Sequence, residues 1–178
     1  MKRIGVSKQT RRIAVCGILC ALGVICMSVG SLVEVMDLTM IMIASFCTVF
    51  AVIEMGKRWA WLIWAVTALL SLLLLPNKLA AVLYLMGGMY PTVKSTLERW
   101  QPLFAWTGKL VAFNGVQAIF LLLAQKLFGL TGPDYAFTWG AILFNNVLFL
   151  LYDFTLTVFI TFYLVKLRRR LKIQSLRD

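Results

Sequence analysis

FTWGAILFNNVLFLLYDFTLTVFITFYLV, residues 137–165, decides the fold, for it carries one charged side chain, Asp153, in an otherwise apolar run. About 20 such residues, rising 1.5 Å each as a helix, cover the hydrocarbon core of a bilayer. Lipid offers backbone groups no hydrogen bonds, so the run crosses as an α-helix. Working outward from it, five further runs have the same character. They cover residues 13–33, 38–55, 59–75, 79–90 and 102–128. Gly56-Lys57-Arg58 and Pro76-Asn77-Lys78 separate the middle runs, and Leu130-Thr131-Gly132-Pro133-Asp134 precedes the last. The fourth run contains Gly87-Gly88, meets Pro91 and passes into the amphipathic stretch 92–100, which predicts a helix kinked near Pro91.

The whole chain is composed to match. Of its 178 residues 61% are hydrophobic and 14% charged, with a mean hydropathy of +0.88. Soluble domains hold about 45–50% apolar and about 25% charged residues, so a cytosolic enzyme and a disordered tail are both excluded. The expectation is an all-α integral membrane protein of six transmembrane helices with both termini cytoplasmic. It divides into a basic N-terminus (1–12), a six-helix transmembrane domain (13–165) and a basic tail (166–178). The first run, though preceded by basic residues, is long for a signal sequence and has no evident cleavage site, so it reads as a retained helix.

Charge tests the helix count. The net charge is +11, and with the N-terminus inside, fifteen of the 18 lysines and arginines fall in cytoplasmic segments. Glu34, Asp37 and Asp134 fall in outer loops. That is the positive-inside pattern, which accounts for the basicity without nucleic acid as a partner and makes the lipid bilayer the expected one. Trp59, Trp61, Trp100 and Trp106 mark the inner interface, and Trp139 with Tyr135 the outer one, as aromatic belts do.

Few residues are equipped for catalysis. There is no histidine, no phosphate-binding loop motif, and no serine or cysteine beside a plausible base. Cys16, Cys20, Cys26 and Cys47 lie within apolar runs without metal-ligand spacing and read as small packing residues. The expectation is no enzyme, no metal and no cofactor. Glu54, beside Lys57 and Arg58, reads as an interfacial ion-pair residue.

The sixth helix carries the polar groups of most interest. Asn146, Asp153, Thr157 and Thr161 form one stripe, with Asn145, Phe149 and Tyr152 on the adjacent face. An aspartate at this depth costs about 2.5–3.5 kcal/mol on insertion scales, so it faces the bundle interior, paired or protonated. Two readings stand: a packing residue tied to Asn114 or Lys94, or a ligand or ion group. The fifth helix offers Asn114, Gln117, Leu121 and Gln125 on one face, and two facing amide-bearing helices can enclose a small polar molecule. Amide hydrogen bonds between the helices are the plainer alternative. Tyr84 and Trp139 are candidates for an aromatic wall on the outer side. In the first helix Gly17 and Ala21 form a small-xxx-small pair with Ala14 and Ser28 on much the same face, and Cys16, Cys20, Gly23 and Gly30 on the neighbouring one. Such faces permit close helix contact, within the chain or with another membrane protein.

The start Thr10-Arg11-Arg12-Ile13-Ala14, the small-residue helix around Gly17-x-x-x-Ala21 and six spans in under 200 residues resemble a substrate-binding S component of an energy-coupling factor (ECF) transporter. Gly17 stands where that family usually has alanine. The resemblance implies a multi-pass protein of a prokaryotic cell membrane that captures a vitamin or related micronutrient. It implies as partners a transmembrane coupling protein and two cytosolic ABC ATPases, which energise uptake. It would make Ala14, Gly17 and Ala21 docking residues, and would place Tyr84, Gln117, Trp139, Asn145 and Asn146 at the substrate, with the loop 31–37 helping to close over it. Asp153, from its place on the stripe of the sixth helix, is a further candidate for the substrate. The rival readings are a stand-alone ion-coupled carrier or channel using Asp153, and a non-catalytic membrane scaffold.

Overall fold

The computed structural model describes residues 8–33, 36–98, 102–128 and 139–168. Among them the chain is all-helical: α1 (Lys8–Leu32), α2 (Asp37–Glu54), α3 (Lys57–Leu74), α4 (Lys78–Leu97), α5 (Pro102–Phe128) and α6 (Trp139–Phe162), the last continued by a π-helical turn, Tyr163–Leu167. Four of these are long and apolar enough to cross a membrane: α1, α2, α3 and α6 with its continuation to Lys166. The expectations placed on Lys2, Arg3, Glu34, Arg99, Trp100, Tyr135, the 131–134 loop and the tail from Arg169 onward lie outside the described residues.

The breaks between helices follow from the residues that make them. Gly56 has φ 95°, a left-handed conformation that glycine adopts without strain, and this turns the chain sharply from α2 into α3. Leu75 is forced extended by Pro76, which stops α3. Lys78 then reaches back, its ammonium donating to the carbonyls of Leu72 and Leu75 at 2.8 Å each and satisfying the open end of α3. Pro91 lies inside α4, which is helical on both sides of it.

The chain forms two compact units. The first comprises Met1–Ser95 with Phe159–Asp178, the second Thr96–Val158. In the first unit α1, α2 and α3 pack on one another. The seam of α1 is Cys20, Gly23, Met27 and Gly30, all buried at helical spacing. A Cβ at Gly23 would lie 2.9 Å from Cγ2 of Thr67, and one at Gly30 would lie 2.8 Å from Cβ of Met40. Small residues there are a steric requirement. Met27, Ile41, Ala44, Ala68, Leu75, Ala80, Ala81 and Tyr84 form the core, with α4 supplying the last three. Phe159 and Tyr163 bring the end of α6 against α2, Phe159 stacking on Phe46 at 3.8 Å and Tyr163 meeting Phe50 edge-on.

In the second unit α5 and the first part of α6 run antiparallel. Lys109 meets Asp153, Phe113 stacks on Phe149 and Asn114 meets Asn146, so partners on α6 fall in number as those on α5 rise.

The other face of α1 has no such neighbours among the described residues. Ala14, Gly17 and Ala21 are exposed, and a Cβ at Gly17 would meet nothing within 4 Å. Gly23→Leu therefore destabilises the fold by overpacking, on the order of 1–3 kcal/mol, whereas Gly17→Leu leaves it intact. Thermal unfolding of the two variants in detergent checks the contrast, with a lowered midpoint expected for the first only.

Candidate functional site

The polar residues of the second unit occupy the α5–α6 contact. Lys109 is 5% exposed and Asp153 3%. The ammonium donates to Oδ2 of Asp153 at 3.2 Å and Oδ1 at 3.3 Å, and to Oε1 of Glu98 at 2.9 Å. Glu98, just past α4, keeps its side chain 44% exposed and so ties the buried pair to the surface of the unit. The Lys109 ammonium also lies 5.2 Å from the centre of the Trp106 ring, within cation–π range. A charged lysine in an apolar helix is held there by carboxylates that would be equally costly alone.

One turn further along α5, Asn114 and Asn146 bind each other reciprocally. Nδ2 of Asn114 donates to Oδ1 of Asn146 at 2.9 Å, and Nδ2 of Asn146 donates back at 3.1 Å. Each amide also donates to the carbonyl four residues earlier in its own helix, Leu110 and Ile142. All four amide hydrogens are thereby used, and the pair is closed on itself. Gln117, another turn along, is 8% exposed, and its Oε1 is enclosed without a hydrogen-bond partner among the described residues. Asn145 is half-buried beside Asn146.

The six residues expected at a substrate are distributed over the two units. Gln117, Asn145, Asn146 and Asp153 belong to the second unit, where α5 and α6 align three of them along one contact. Trp139, the first residue of α6, is 86% exposed. Tyr84 belongs to the core of the first unit. It is fully buried, its ring lies on Gly88 and its hydroxyl sits by those of Thr48 and Thr67. At the end of α1 Ser31 donates to the Ser28 carbonyl, and at the start of α2 the buried Asp37 accepts from Nδ2 of Asn77 at 3.0 Å.

Asp153 accepts from Lys109, and Asn114 is occupied by Asn146. Sequence reasoning used Lys109 only to count charge. The signal for its role was a lysine inside an apolar run, which needs an acid as much as Asp153 needs a base. Among the described residues no three His, Cys, Asp or Glu side chains gather to ligate a metal. Comparison with family models, curated proteins and solved structures finds no match to this chain.

Removing one member of the buried pair leaves the other uncompensated. Lys109→Met is expected to cost about 3–5 kcal/mol, and Lys109→Met with Asp153→Leu to recover most of it. Unfolding titrations of the two single variants and the double variant measure the coupling directly.

Proposed function

We propose that this protein is the membrane-embedded substrate-binding subunit of a micronutrient uptake system, docked through α1 to a coupling protein energised by separate ATPases. The observation that carries this reading is the unused small face of α1. Small residues in a membrane helix permit close approach by another helix. On the Cys20–Gly30 side this chain's own helices make that approach. On the Ala14–Gly17–Ala21 side they do not, and nothing among the described residues needs Gly17 to lack a side chain. Ile13, Ile18, Leu22 and Ile25 flank the small residues with exposed apolar side chains, the composition of a helix–helix interface within lipid.

In this reading all six helices cross the bilayer and both termini face the cytoplasm, which keeps the basic clusters on the positive side. The α5–α6 contact carries the ligand. With Asn114 and Asn146 closed on each other, the groups left to recognise a small polar molecule are Gln117 Oε1, an enclosed acceptor, and the half-buried Asn145. Lys109, Glu98 and Asp153 then hold the two helices in register beneath it.

A second reading, ion-coupled transport by this chain alone, draws on the burial of Asp153. The ammonium of Lys109 at 3.2 Å supplies that carboxylate with a fixed counter-charge, which favours a structural role.

Gly17→Leu and Ala21→Leu are expected to abolish co-purification of a second membrane protein and two ABC ATPases from native membranes, while the variant chains stay folded. Undiminished assembly in both variants overturns the docking role. Asp153→Asn, assayed for ion-driven uptake in liposomes holding this protein alone, is expected to show no coupled transport to lose. Uptake by the unaltered chain that disappears in the variant establishes the second reading instead.

A further inference from the structure

At the end of α6, in the first unit, a buried carboxylate meets a change of helix type. Glu54, the last residue of α2, is fully buried. Its Oε1 accepts from the Tyr163 hydroxyl at 3.1 Å and from Nε of Arg168 at 3.1 Å. Tyr163 and Arg168 are five residues apart. In an α-helix, at about 100° per residue, positions five apart diverge by about 140° and cannot serve one oxygen atom.

Here the intervening turn is π-helical. The Arg168 amide bonds to the Tyr163 carbonyl, closing the wider ring and stacking the two residues on one face. The wide turn is thus the condition for both side chains to reach Glu54. Conversely Glu54 is what rewards the turn, because π geometry is otherwise disfavoured and holds only where something specific repays it. Phe50, one turn earlier on α2, packs edge-on against the Tyr163 ring and fixes the same approach. The second carboxylate oxygen, Oε2, is enclosed with no hydrogen-bond partner among the described residues, so the stability of this corner rests on the two contacts to Oε1.

We propose that Glu54 pins the π turn at Tyr163–Leu167 and thereby sets the rotational phase of the basic segment that follows α6. A π turn is one extra residue inserted in an α-helix. Its loss rotates everything beyond it by about 100°. Lys166 and Arg168 lie in and just past the π turn, so the pin decides which way these two basic side chains face. Release of Tyr163 and Arg168 from Glu54 is then a two-position switch, α or π, with no intermediate phase.

The test is a nitroxide accessibility scan of residues 155–162 and 164–172, sparing 163 and 168. It uses the full chain with its four cysteines replaced by alanine, in phosphatidylcholine–phosphatidylglycerol vesicles. The unaltered chain is expected to show a phase offset of about one residue between the two segments, and Glu54→Ala a single unbroken α-helical period. Deleting Val165 in the Glu54→Ala background is expected to restore the original phase beyond residue 168. An offset absent from the unaltered chain, or one that persists in Glu54→Ala, overturns the proposal. Should Glu54→Ala lose the pattern before residue 162 as well, Arg168→Gln carries the test, since it alters only a half-exposed side chain. The same loss of offset supports the pin, and an unchanged offset removes it.

Discussion

A polar group buried in an apolar bundle must find its partner within the bundle, and this constraint organises the rest of the molecule. Lipid cannot hydrogen-bond to an ammonium, a carboxylate or an amide, and each one left alone costs several kcal/mol. The chain answers with paired sets, although Gln117 Oε1 and Glu54 Oε2 are enclosed without a partner among the described residues. Lys109 spends its ammonium on Glu98 and Asp153, the amide hydrogens of Asn114 and Asn146 are all taken up, and Glu54 holds Tyr163 and Arg168. Because such groups cannot slide past one another without being exposed, they fix helix register in a way that leucines against leucines do not. Phe113 on Phe149 then follows from the register that the polar pairs impose.

Much of the fold was legible because helix ends are written in local chemistry. Gly56 with its positive φ, Pro76 behind the extended Leu75, and the length of each apolar run place five breaks near the observed ones. The count of helices follows. Whether α4 and α5 cross a membrane is less plainly written, since α4 turns polar past Pro91 and α5 carries Lys109 in its body. Four helices meet the criterion of length and apolarity without them.

The site was legible by face and illegible by partner. Periodicity places Asn146 and Asp153 on one stripe and Asn114 with Gln117 on another, and these stripes do meet. It does not say that Asn146 takes Asn114 or that Asp153 takes Lys109, because that depends on the antiparallel register of two helices distant in sequence. Tyr84 shows the same limit from the other side. An aromatic with a polar tip in an apolar helix reads as a ligand wall, and periodicity does not say that the close approach allowed by Gly88 seats its ring in the core of the first unit beside Thr48 and Thr67. Glu54 was read with Lys57 and Arg58, its neighbours in sequence, whereas its oxygen binds residues more than a hundred positions away. No α-helical periodicity places Tyr163 and Arg168 together, since a π turn has another period.

The two faces of α1 bear on function through a comparison internal to one helix. Both carry small residues within the same apolar helix. On one, each small residue is explained by an atom less than 3 Å from where its side chain would begin: Thr67 at Gly23, Met40 at Gly30. On the other, Gly17 meets nothing, although glycine in a helix interior costs about 1 kcal/mol relative to alanine. Contact with lipid alone gives no return for that cost, since acyl chains accommodate leucine as readily as glycine. In the proposed docking reading, a residue that weakens its own helix and relieves no clash among the described residues is accounted for by a surface outside the chain, and the close approach that Gly23 permits to α3 is the one that Gly17 would permit to a partner helix.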